Sequence, residues 1–167
     1  MSNQEEIKEK LLEYVITILE EKREEFSGFS VCPFVKADRI KNQLFLDVFD
    51  NQKETLVDVI LRFVRSKKSS ALIAQLNTDI AGTETRGYQN FVNLVIEECK
   101  LGDVKALCFN PNDQLEVEGY NARSKAPYFL INMAYTDDLS KAHRSLKQTK
   151  YYDKIPHDYT SYLGVKK

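Results

Sequence analysis

Between Gln4 and Phe26 the apolar residues Ile7, Leu11, Tyr14, Val15, Ile18 and Leu19 return at steps of three and four, with glutamate and lysine between them. That spacing predicts one long N-terminal amphipathic helix ending near Gly28. Pro33 suits the first position of a second, shorter helix, because its missing amide hydrogen would be unpaired there anyway; Cys32 then becomes the cap residue. Leu44 to Phe49 carries large apolar side chains at odd and even positions alike, as expected of a strand covered on both faces. Glu54 to Ser66 returns to helical spacing, Ala71 to Leu76 reads as a buried strand, and Asn77 to Arg86 as a polar loop.

The cleanest stripe follows: Tyr88, Phe91, Val92, Val95, Ile96 and Cys99 define a helix stopped by Gly102. Val104 to Phe109 is the next expected strand, ended by the turn-forming Asn110-Pro111-Asn112-Asp113. A last strand is placed at Tyr128 to Met133, then a helix capped by Thr136 or Asp137 and running through Arg144, and a short final helix at Pro156 to Leu163. Strands alternating with helices imply an α/β sandwich: a small sheet of about four strands with crossover helices on its faces, mixed if the last strand is antiparallel. No repeat, low-complexity tract or linker interrupts the chain, so residues 1–167 are expected to form a single domain.

Composition narrows the class. A chain of 167 residues can bury roughly two thirds of its unfolded surface and needs no metal or disulfide staple. With a net charge of −1 it has no overall pull towards nucleic acid or anionic membrane. No apolar run reaches the length of a membrane span, and Met1 to Lys10 is polar and acidic where a signal peptide would be basic and then apolar, so a cytoplasmic location is expected. The three cysteines, Cys32, Cys99 and Cys108, form no CxxC pair and fit free thiols in a reducing compartment.

The candidate chemistry centres on Gly28-Phe29-Ser30-Val31-Cys32-Pro33-Phe34-Val35-Lys36. A thiol at a helix N-terminus can be stabilised as thiolate by amide hydrogens and the helix dipole, with Lys36 or Arg39 adding to the effect, which makes Cys32 a candidate nucleophile. The competing reading is a small apolar residue buried where the helix meets the core. Cys99 and Cys108 fall on apolar stripes and read as core thiols. Arg123, in the loop Gly119 to Ala126, could clamp a carboxylate or phosphate in two-point fashion, form a structural salt bridge to Asp113, Glu116 or Glu118, or stand as a solvated charge. Asn110 sits in a turn after a strand, where ligand crevices of open α/β sheets form, and it reads as a turn first and a site second. His143 and His157 belong to no metal-spacing motif, and no GxSxG elbow, Walker loop or GxGxxG is present. Tyr151, Tyr152, Tyr159 and Tyr162 read as a packed aromatic tail, since no basic stripe accompanies them.

Phe29-Ser30-Val31-Cys32-Pro33-Phe34-Val35-Lys36 resembles the Leu-Cys-Pro-Phe-Ala signature of the bacterial family called domain of unknown function 1415. In the same order, Phe109-Asn110-Pro111-Asn112 resembles its Phe-His-Pro, Asn121-Ala122-Arg123-Ser124 with Pro127-Tyr128 resembles its Asn-Arg-Ser-Pro-Tyr-Pro, and Leu163-Gly164-Val165 resembles its ending. The resemblance extends from about Leu19 to Val165 and implies an architecture rather than an activity, the family's chemistry being unassigned. Two departures stand out. Asn110 replaces the family-like histidine, so any role of that histidine as base or ligand is absent or replaced here, and Lys125-Ala126 separates Arg123-Ser124 from the Pro-Tyr pair.

Two functions follow as expectations. One is a small cytoplasmic enzyme acting on a small anionic metabolite, with Cys32 as catalytic residue and Arg123, Lys36 and Asn110 as substrate-binding residues. The alternative is a non-catalytic ligand- or protein-binding module in which Cys32 only packs. The sequence assigns no cofactor, no metal and no oligomeric state.

Overall fold

In the computed structural model, which describes residues 2–157, four strands form one mixed sheet in the order β1-β2-β4-β3. Strand β1 (Leu44–Asp50) pairs parallel with β2 (Ser70–Leu76). Strand β4 (Phe129–Tyr135) is antiparallel both to β2 and to β3 (Val104–Phe109), so β1, β2 and β3 run one way and β4 is inserted between them in the other. The α/β sandwich and its mixed sheet thus stand as expected, with β4 in the interior of the sheet.

Alternation along the strands explains the two cores. Phe45 and Phe49 of β1, Ala71 and Ile73 of β2, and Ile131 and Met133 of β4 point to one face, where α3 (Leu56–Ser66) and α4 (Thr85–Glu98) bring Ile60, Phe63, Val92 and Ile96. Leu44, Leu46, Val48, Leu72 and Leu130 point to the other, covered by α1 (Asn3–Tyr14), α2 (Pro33–Ile40) and α5 (Thr136–Lys147). No described helix is long and apolar enough to cross a membrane.

The first helix differs from its expected course. Its α-helical part ends at Tyr14, a single π turn covers Val15–Leu19, and the chain then leaves the helix. The apolar periodicity continues through that turn, but the carbonyls at its end take non-helical partners. The Cys32 amide donates to Leu19 O at 2.8 Å and the Val31 amide to Glu21 O at 3.1 Å, while Ser30 Oγ donates to Glu20 O at 2.9 Å. These bonds satisfy carbonyls that a helix end leaves open. The reversal that brings residues 30–32 back passes through a 3₁₀ turn (Glu24–Phe26) and two left-handed residues, Ser27 (φ 57°) and Gly28 (φ 84°). Phe26, expected on the helix, is instead a fully buried core residue of the hairpin-like return.

Smaller shifts occur at other ends. Strand β4 runs to Tyr135, so Thr136 is the first residue of α5 and no side chain caps it; α5 continues to Lys147. The expected final helix from Pro156 to Leu163 lies, from residue 158 onward, outside the described residues, as do Tyr159 and Tyr162.

Candidate functional site

The doubling back of residues 20–31 delivers Cys32 to the N-terminus of α2, with Pro33 in the first helical position as the sequence implies. Cys32 is half-buried. Its neighbours do not make it acidic: burial pushes the thiol above its ordinary value, the amides of Phe34 and Val35 pull it down without offsetting that, and Asp38 pushes it further up. The helix terminus acts in the expected direction, and desolvation outweighs it.

Two spaces meet at this residue. An outer cleft of about 300 Å³ lies between α2 and α5 over β2 and β4, with Asp38, Ser70, Asp138 and Lys141 among its polar lining. An inner cavity of about 90 Å³ is mainly aromatic and apolar, reaching Tyr14, Phe109, Arg123, His143, Tyr151 and Tyr152. Cys32, Phe34, Asn132 and Leu139 line both. In the cleft Ser70 Oγ donates to Asp38 Oδ2 at 2.6 Å. Burial and the facing Asp138 hold the Asp38 carboxyl above its ordinary value, against the Ser70 hydrogen bond that lowers it.

Arg123 and Cys32 therefore converge on one cavity, as a shared site requires. Arg123, however, is already engaged. It is only 2% exposed, its Nη1 donates to Asp113 Oδ2 at 2.9 Å and to Cys108 O at 3.1 Å, and its guanidinium lies 4.8 Å from the centre of the Phe109 ring. The salt bridge to Asp113 is the structural reading of this residue, and it balances the charge.

Lys36 and Asn110 line neither space. Lys36 is exposed on α2. Asn110 is 1% exposed and holds its turn: Nδ2 donates to Ile80 O at 2.7 Å and to Thr85 Oγ1 at 3.0 Å, and Oδ1 accepts from the Asn112 amide at 2.9 Å. Gly82 sits against that turn, where an added Cβ would lie 2.3 Å from the Asn112 carbonyl oxygen. Arg39, the other cation near the cysteine in sequence, pairs with Glu20 through Nη2 at 2.8 Å.

Two further residues of the cavity belong to no sequence motif. His143 Nδ1 and Tyr152 Oη lie 2.6 Å apart, and the His143 ring meets Phe34 edge-on at 6.1 Å. Burial keeps the imidazole below its ordinary value, with Lys105 and Lys147 adding to the effect, while burial and then the neighbouring Cys32 push the Tyr152 phenol up to about 12. A signal was available: Leu139, His143 and Leu146 fall at steps of four and three, which puts the histidine on the inward face of α5.

Comparisons of the chain with models of protein families, with curated proteins and with solved structures find no match.

Proposed function

We propose that this protein is a thiol-dependent enzyme acting on a small molecule, with Cys32 as the nucleophile. The observation that carries the reading is the position of Cys32 as a wall shared by a polar cleft and an aromatic cavity, at the start of a helix whose amides favour the thiolate. A substrate lying in the outer cleft presents its reacting atom to the sulfur, and the inner cavity takes a small apolar group.

The rim sets the preferred charge. Asp38 of α2 lines the cleft opposite Asp138 and Lys141 of α5, and Arg123 is neutralised by Asp113, so the surroundings favour a neutral or amine-bearing substrate over the anionic metabolite that Arg123 suggested. The second reading, a non-catalytic binding module, is favoured by one observation: burial raises the thiol's pKa, which suits a packing cysteine.

An acyl-transfer probe separates the two. In p-nitrophenyl acetate the sulfur attacks the carbonyl, nitrophenolate leaves with the bond's electron pair, and an acyl thioester remains. A nitrophenolate burst matching the protein concentration, lost in Cys32→Ala and retained in Cys99→Ala, is the expected result. A burst that survives Cys32→Ala, or no burst at all, overturns the enzyme reading.

A further inference from the structure

We infer that His143 and Tyr152 form a proton relay for Cys32, the tyrosine hydroxyl taking the thiol proton while passing its own to the imidazole. The inference rests on the reading of Cys32 as nucleophile and supplies that nucleophile with a base.

Three groups on three separate elements meet here: Cys32 at the start of α2, His143 on the inward face of α5, and Tyr152 on the segment that follows α5. His143 Nδ1 and Tyr152 Oη lie 2.6 Å apart, and the ring's tautomer decides which of them donates. With the proton of the neutral ring on Nε2, Nδ1 accepts from the tyrosine, whose oxygen keeps lone pairs facing the cavity.

As the sulfur forms its new bond, S–H breaks, its proton moves to Oη, and the proton already on Oη moves to Nδ1. Tyrosine begins and ends neutral, so no phenolate is formed; the protein keeps one imidazolium, and the matching negative charge departs with the displaced group, nitrophenolate or iodide. The charged groups around the ring are Lys105 of β3 and Lys147 of α5, both of which keep the imidazole neutral and ready to accept. On the cleft side stand Asp38 of α2 and Asp138 of α5. A buried thiol above its ordinary range reacts slowly by prior ionisation, so removing its proton during attack is the faster course. Tyr152 exchanges a proton with the reacting sulfur and is a catalytic residue in this step, while His143 acts through Tyr152 and is a positioning residue.

The test is the pH dependence of iodoacetamide alkylation at Cys32, read on the Cys32 peptide by mass spectrometry, for the wild type, Tyr152→Phe and His143→Asn. Asparagine offers an acceptor near Nδ1 and keeps the tyrosine bond, but it takes no proton. The wild-type rate is expected to rise through the imidazole's titration and then level. Both variants should lose that plateau, rise in proportion to hydroxide, and react about 100-fold more slowly near neutral pH, the lower end of general-base assistance. Circular dichroism establishes that each variant is folded. If all three proteins share one profile, the relay is overturned while Cys32 stands as nucleophile. A wild-type Cys32 that is unlabelled at every pH overturns both.

Discussion

The Tyr151 hydroxyl donates a hydrogen bond of 2.6 Å to the carbonyl of Val31, tying the aromatic segment after α5 to the residue that precedes Cys32. Three further contacts hold the same segment: Tyr152 to His143, Lys154 Nζ to Glu24 O at 2.9 Å, and Ile155, which is 1% exposed in the core. The segment closes one side of the inner cavity, so the stability of this end of the molecule and access to the thiol are coupled.

Tyr151→Phe removes that hydroxyl and leaves a buried carbonyl without its donor. The expected cost is about 1–3 kcal/mol, measured by urea unfolding, with faster alkylation of Cys32 in the native protein. Lost stability without a change at Cys32 would show that the segment does not cover the thiol.

Arg123 carries a different expectation from the one its sequence context suggests. Arg123→Met leaves Asp113 buried without its counter-charge, and a loss of about 3–5 kcal/mol is expected in urea unfolding. Replacing Asp113 by Asn in the same chain should recover part of it. A loss near zero would contradict the structural role.

Asp38 gives the site a pH signature. Burial raises its carboxyl pKa, so between the ordinary carboxyl value and the raised one the folded chain binds more protons than the unfolded chain. Its contribution to stability therefore falls as pH rises through that window, and the ionised group is a cost at neutral pH. Asp38→Asn, which keeps an acceptor for Ser70, should raise the urea midpoint at neutral pH, with the difference vanishing in acid below both values. Removing the charge should also lower the Cys32 pKa.

Much of the architecture was legible because periodicity records burial directly. Leu44 to Phe49, apolar on both sides, is a strand between two layers, and β3 spans Val104–Phe109 as expected. Periodicity did not reveal the end of α1, because Ile18 and Leu19 continue the stripe through the π turn and only the distant amides of Val31 and Cys32 show where the helix stops. The site was half legible for a similar reason. Cys32 and Arg123 stood out as residue types, but whether a guanidinium is free or matched depends on Asp113, and whether a helix-terminal thiol is acidic depends on how much water reaches it. Asn110, which reads as a turn residue first and a site residue second, holds its turn.

Asn110→Ala should then destabilise the protein by about 1–3 kcal/mol through the donors and acceptors it strands, while leaving Cys32 alkylation unchanged. A selective change in thiol reactivity with stability intact would return Asn110 to the site.

The central claim is that Cys32 is a reachable, reacting thiol, and peptide-resolved alkylation of the native protein tests it most directly. Labelling of Cys32 well before the core thiol Cys108, and slowed by a ligand that fills the cleft, is the predicted result. Labelling of Cys32 and Cys108 together, only once the protein unfolds, would contradict it.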